Sequence, residues 1–321
     1  MHRYIIQRIL FLIPILLAVS FLVYALLDLA PGTIIDSLQL EQVSPEKLEE
    51  LTKRYNFDKP MIVRYGIYMG RLLQGDLGVS DFSETDVWGI YIQRLPNTLK
   101  LAGASILVGT VLGLPLGIYA SLRAGTLRDS SVTFFSLVGL SMPSYWMGLL
   151  LLLLFSLHLE WLPTGGFDDG IKSLIIPAFC SGVNLMAGVT RQTRSSMLEV
   201  LRADYLRTAR AKGVPEQRVI WKHALGNAWI PILTTLGGAM AVAVSGSAVT
   251  EMVFSFPGIG RMLVEAINAR DVTTTMGCVV LTTTIYVLMQ LVVDLMYAFV
   301  DPRIKSIYTN TNRKSKRRLD A

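Results

Sequence analysis

Repeated apolar runs, each about long enough to cross a bilayer, constrain this chain more than any other feature. Six are visible, roughly at 9–29, 99–122, 132–157, 174–189, 228–253 and 272–300. A membrane-spanning helix needs about 20 predominantly apolar residues. Composition agrees: 52% of the 321 residues are hydrophobic and 17% are charged, against about 25% charged in soluble domains. The expectation is an all-α, polytopic membrane protein with six transmembrane helices. The fourth run is the weakest, because it carries Asn184, Pro177 and two glycines. The first run is too long for the apolar region of a signal peptide and no small-residue cleavage site follows it, so it reads as an uncleaved span. Cys180 and Cys278 both fall inside apolar runs. They read as buried small hydrophobes, not as a disulfide or metal ligands.

Arginine and lysine set the orientation of such a chain. The N-terminal stub, the loop 123–130, the segment 191–225 and the tail 301–321 together hold 19 basic and 6 acidic residues. The alternate segments, 30–97, 157–172 and 255–271, hold 10 basic and 15 acidic residues. The alternation places both termini and segment 191–225 in the cytoplasm and requires an even number of spans. Four regions follow: a stub and first span over 1–30, an external helical loop over 31–97, a transmembrane core of five helices over 98–300 and a basic cytoplasmic tail over 301–321. The tail has no folded basic domain beside it, which argues against a nucleic-acid partner.

The external loop carries two helical patterns. From Ser44, with Pro45 at the first helical position, Leu48, Leu51 and Tyr55 form a stripe at helical spacing. A second amphipathic stretch covers 61–73, followed by the turn-rich GDLGVS at 75–80. On the cytoplasmic side, 197–212 reads as a helix with an apolar stripe at Leu198, Leu201, Tyr205 and Ala209. Gly213 stands where a left-handed residue would end that helix. Pro215 stands at the first position of a second helix running to Ala224, with Glu216 beside its positive end. The result is a helix, a tight turn and a helix within about 197–226, with a mixed apolar and basic surface suited to a partner's groove.

Several motifs then resemble one family. Arg207–Gly213 (RTARAKG) followed by HALGN resembles the coupling loop of importer-type ABC transporter permeases. Leu29–Gly32 (LAPG), Gly75–Ser80 (GDLGVS), Thr193–Gly213, Glu251–Asp271 (EMVFSFPGIGRMLVEAINARD) and Val300–Ile304 (VDPRI) resemble signatures of its dipeptide/oligopeptide/nickel branch. The departures are Arg207-Thr208-Ala209 in place of Glu-Ala-Ala, His223-Ala224-Leu225-Gly226 in place of Ile-x-Leu-Pro, and no acid after Pro31-Gly32. The resemblance implies a permease subunit in a bacterial or archaeal cell membrane, pairing with a second homologous permease, two cytoplasmic ATPases and an external solute-binding protein. It implies that Ala209, Gly213, Pro215, Glu216, Arg218 and Val219 carry the ATPase contact.

The chain has no GxxxxGK[ST] phosphate loop. ATP would therefore be bound by partner subunits, and no cofactor or metal is expected on this chain. His2, His158 and His223 are dispersed and make no metal site. No HExxH, GxSxG or paired intramembrane aspartates suggest an enzyme. An ion-driven secondary transporter is the competing class, but no clear internal repeat supports it. Candidates for the pathway or its gate are Glu251, set to meet a substrate amino group or an arginine, the aromatic turn of Phe254, Phe256 and Pro257, and Asp294. Short peptides are the expected cargo, with nickel or a metal chelate as the alternative.

Overall fold

The computed structural model describes residues 2–29, 52–53, 56, 58–80 and 82–300. The pattern read from Ser44, LAPG and the tail fall outside the described residues. The described helices are α1 His2–Leu29, α2 Met61–Leu73, α3 Val87–Leu122, α4 Leu127–Ser141, α5 Ser144–His158, α6 Ile171–Leu201, α7 Asp204–Ala211, α8 Glu216–Val244, α9 Ala248–Val253, α10 Ile259–Asn268 and α11 Val272–Val300. Five helices are long and apolar enough to span a membrane, and the bent pair α4–α5 makes a sixth if counted as one span. Helix α2 has the bounds the amphipathic pattern predicts.

Three spans differ from the sequence expectation. The run 132–157 is not one straight span, because it bends by 95° between α4 and α5. Pro143 excludes the preceding residue from the helical region, and Met142 is extended at ψ 127°. The run 228–253 stops at Val244, and Gly246, at φ 88°, turns the chain into short α9. The second span begins at Val87, because Asp86 caps it by accepting from Gly89 N–H at 2.9 Å. The weak fourth run, by contrast, lies within one continuous helix, with Pro177 inside it.

Helix α6 is the hub, packed by α3, α4, α5, α8 and α9. Its closest partner is α3, and the reason lies in Gly109, Gly113 and Gly117, one turn apart on α3. A β-carbon on Gly113 would stand 2.8 Å from the Met186 carbonyl oxygen, and one on Gly117 would stand 2.6 Å from that of Thr190. Small residues at this spacing let two backbones touch, which is how helices associate where lipid supplies no hydrophobic drive. At one end of the seam, Arg194 makes a bidentate pair with the buried Asp129 of α4, at 2.6 and 2.7 Å. Helix α1 lies at the periphery. Tyr65 of α2 meets Ser20 at 2.9 Å, and Arg64 pairs with Asp28 at 2.5 Å.

GDLGVS docks on the start of α11. Ser80 Oγ donates to Asp271 Oδ2 at 2.6 Å, and Asp271 accepts from Thr274 N–H at 2.8 Å, capping α11. Asp271 is buried. Asp271→Ala should lower stability by about 1–3 kcal/mol through the lost cap and the orphaned Ser80. A thermal unfolding midpoint measured in detergent checks this, and an unchanged midpoint contradicts it.

Candidate functional site

Helix α8 is 29 residues long, about 43 Å at 1.5 Å per residue, and carries a distinct feature at each end. At its N-terminal end lies the elbow of α7, Gly213 and the first turns of α8. Helix α7 begins afresh at Asp204 after extended Ala203, so the helix read as continuous over 197–212 is broken after Leu201. Gly213 has φ 75° and donates to Arg210 O at 2.9 Å, closing α7 as the sequence suggests. Pro215 is the residue before α8, with ψ 139°, and not its first helical residue. Arg210 grips Glu216 across the turn at 2.8 and 3.1 Å. That guanidinium holds the Glu216 carboxyl below the usual carboxylate range. The pair therefore stays formed at neutral pH and is lost only as pH falls through the lowered value.

The elbow is seated on a core of Ile118, Met197, Leu206, Val219, Ala224 and Ile232. This corrects one expected contact residue. Val219 is 0% exposed and anchors the elbow to α3 and α6, so it offers no surface to another chain. Ala209 packs against the same core, half-buried. Gly213, Pro215, Glu216 and Arg218 are exposed. Tyr205, read from sequence as part of the apolar stripe, is exposed; Trp221, 57% exposed, stands out on the elbow surface and was not singled out from sequence. Nor was the π-helical turn Val219–Ala224 that joins the elbow to the rest of α8. Such turns cluster at functional sites, but an apolar pattern does not reveal them.

At the other end of α8 lies the Glu251 loop. The expectation that Glu251 meets a substrate amine or an arginine side chain is corrected by its environment. Glu251 is 0% exposed. Its carboxylate accepts from Thr98 Oγ1 at 3.0 Å and from the backbone N–H of Arg261 at 2.9 Å. Thr98 Oγ1 in turn accepts from Ile259 N–H at 2.8 Å, and Asn97 donates to the Pro257 carbonyl at 3.1 Å. Phe254 and Phe256 are buried beside Met147, Ile176 and Cys180, so they do not form an exposed aromatic turn. Phe256 stacks edge-on against Phe167 at 5.3 Å, and Gly166 N–H donates to the Phe254 carbonyl at 2.9 Å. Pro257 is half-buried. Asp294 lies elsewhere, on α11, where it accepts from Gln290 of the same helix at 3.4 Å. The two cysteines are free and buried.

Between the two ends, α3, α5, α6, α8 and α9 line a half-open cavity of about 470 Å³. Thr98, Ser105, Ser144, Ser181, Asn184, Ser247 and Thr250 supply its polar groups, and Glu251 is the only ionisable residue among those that line it. Glycine and alanine complete much of the wall. Apart from Glu251, such a lining offers neutral hydrogen bonds. Of these residues only Glu251 was a sequence candidate; the signal available for the rest was hydroxyl and amide groups inside apolar runs.

A bundle of apolar helices with a cavity walled mainly by hydroxyl, amide and small apolar groups and a helical elbow at one end defines a class, the membrane-embedded permease. The chain belongs to the family described as "Binding-protein-dependent transport system inner membrane component", which matches residues 113–306, while the N-terminal region of such components matches residues 1–102. It is a transport component and not an enzyme. Among its relatives is the oligopeptide transport system permease protein AppB of Bacillus subtilis, 38% identical over 315 residues, covering 95% of this chain and 100% of that protein. The di/tripeptide permease DppB of Pseudomonas aeruginosa is 38% identical, covering 95% of this chain and 99% of that protein. The dipeptide permease DppB of Escherichia coli is 34% identical with the same two coverages. A solved inward-facing form of the MetNI methionine ABC transporter shares the fold, with a TM-score of 0.57 at 17% identity over 67% of this chain and 97% of that one.

Proposed function

We propose that this chain is one of two homologous permease subunits of an ATP-driven importer for short peptides. An external solute-binding protein delivers the peptide, and two cytoplasmic ATPase subunits dock on the elbows. ATP is held by those partners and not by this chain. Both termini and the elbow face the cytoplasm, a reading supported by the distribution of basic residues. The relatives named above carry peptide names, which favours peptides over nickel.

The observation that carries this reading is the continuity of α8. A force applied at exposed Glu216 and Arg218 enters a helix that is locked to the bundle by buried Val219 and Ala224. About 43 Å away, the same helix ends beside the cavity and Glu251. ATP-driven closure of the ATPase pair moves the elbows, and α8 carries the motion to the far end as a rigid-body shift. Ala209, Gly213 and Pro215 shape the elbow, while Glu216 and Arg218 contact the ATPase. Glu251, Phe254, Phe256 and Pro257 belong to the gate, whereas Asp294, held by Gln290 of its own helix and absent from the cavity wall, is left out of the pathway.

Uptake of a labelled dipeptide, compared with uptake of nickel, in a strain deleted for this subunit and complemented with it tests the cargo. Restored dipeptide uptake without restored nickel uptake is expected. The opposite pattern overturns the peptide assignment.

A further inference from the structure

Glu251 does more at the far end of the cavity than its burial alone explains. Its two oxygens meet donors from separate elements, Thr98 of α3 and the start of α10. The Thr98 hydroxyl accepts the Ile259 N–H, so its own proton is directed at Glu251 and the three groups form one relay. The loop is shaped around the carboxylate. A β-carbon on Gly258 would stand 2.4 Å from it, and one on Gly260 would stand 3.0 Å away. Gly246, where α8 gives way to α9, stands against the Gly260 backbone, at 3.2 Å from where its own β-carbon would lie. The carboxylate thus joins α3, α9 and α10 where they meet, at the end wall of the cavity.

We infer that Glu251 is a positioning residue, an internal latch that holds this end of the cavity shut, and that it is not a ligand for the cargo. The inference rests on reading the cavity as the transport pathway. Glutamine at 251 keeps the size but replaces one acceptor oxygen by an amide donor. With its remaining oxygen on the Arg261 N–H, the amide can only donate to the Thr98 hydroxyl, so the Thr98 arm reverses direction and both arms lose their charge assistance. Valine at 98 removes the relay from the other side, whereas serine keeps it.

The test uses the assembled transporter, with its ATPase partners, in proteoliposomes. Two readouts are followed: hydrogen exchange of the amides at 259–262, and the rate at which Asn184→Cys in the cavity wall reacts with a membrane-impermeant maleimide from the outer face. Glu251→Gln and Thr98→Val should each raise both by roughly tenfold or more at rest, as expected for loss of a buried charge-assisted hydrogen bond. Thr98→Ser should raise neither. Faster exchange with unchanged labelling reduces Glu251 to a local helix cap and overturns the inference. So does a raised KM for peptide uptake with both readouts unchanged, which marks a ligand. The pathway reading is checked separately, by labelling Asn184→Cys with the latch intact and nucleotide trapped on the ATPases. If that cysteine never becomes reactive from outside, the pathway reading fails and the inference falls with it. If it does react while Glu251→Gln leaves resting labelling unchanged, the latch alone fails.

Discussion

Replacing Gly213 with proline is expected to abolish coupled transport while leaving the subunit folded in the membrane. The backbone at Gly213 has φ 75°, and a proline ring holds φ near −65°. Proline also removes the N–H that donates to Arg210 O at 2.9 Å. The turn cannot form, so the first turns of α8 leave their place relative to α7. Alanine is a graded control. No atom lies within 4 Å of its β-carbon position, so its cost is only the left-handed backbone, about 1–2 kcal/mol. Peptide uptake should therefore fall to background in Gly213→Pro and be largely retained in Gly213→Ala. Because Gly213 is exposed at the tip of the elbow, the amount of subunit in the membrane should hardly change. Wild-type uptake and undiminished ATPase co-purification in Gly213→Pro would remove the elbow from the mechanism.

Closing the α3–α6 seam to side chains should damage the fold itself. Gly113→Leu or Gly117→Val places atoms against backbone carbonyls, at 2.8 Å from Met186 O or 2.6 Å from Thr190 O for the β-carbon alone. No rotamer change relieves a contact with backbone, so the helices must separate. Separation also breaks the bond from Thr190 Oγ1 to the Gly113 carbonyl, now 3.2 Å long. Overpacking of this kind costs about 1–3 kcal/mol, and more where the neighbour cannot yield. Because α6 is the hub, loss of most folded protein is expected. Gly103→Ala on the same helix is the control: nothing lies within 4 Å of its β-carbon, so it should be neutral or slightly stabilising. Detergent-solubilised yield and unfolding temperature check both. Equal behaviour of the Gly103 and Gly117 variants would show that the close approach is not required.

Most of the bundle was legible in the sequence because hydropathy and helical periodicity are local. The spans, α2 and the left-handed Gly213 all follow from residues within one or two turns of each other. What was not legible depends on long-range contacts. The bend at Pro143 is hidden because Pro14, Pro96, Pro115, Pro177 and Pro231 lie inside helices that continue through them. Apolar content does not distinguish a kink from a straight span. Val219 sits on an amphipathic turn whose apolar side fits a partner's groove as well as this chain's own core; only the seat formed with Met197 and Leu206 decides. Glu251 was conspicuous as an acid near a span end. Its donors Thr98 and Arg261 are 153 and 10 residues away in sequence, and nothing local announces them. Resemblance to a family supplied the sites, and the packing showed which of their residues face inward.

The most direct test of the account is transport in proteoliposomes containing this chain and its permease partner, with and without the two ATPase subunits, and with peptide-loaded binding protein on the outer face. Peptide uptake should require the ATPases and ATP together, and dissipating ion gradients should not change it. Uptake driven by an ion gradient with the ATPases absent would contradict the account and make the chain a secondary transporter.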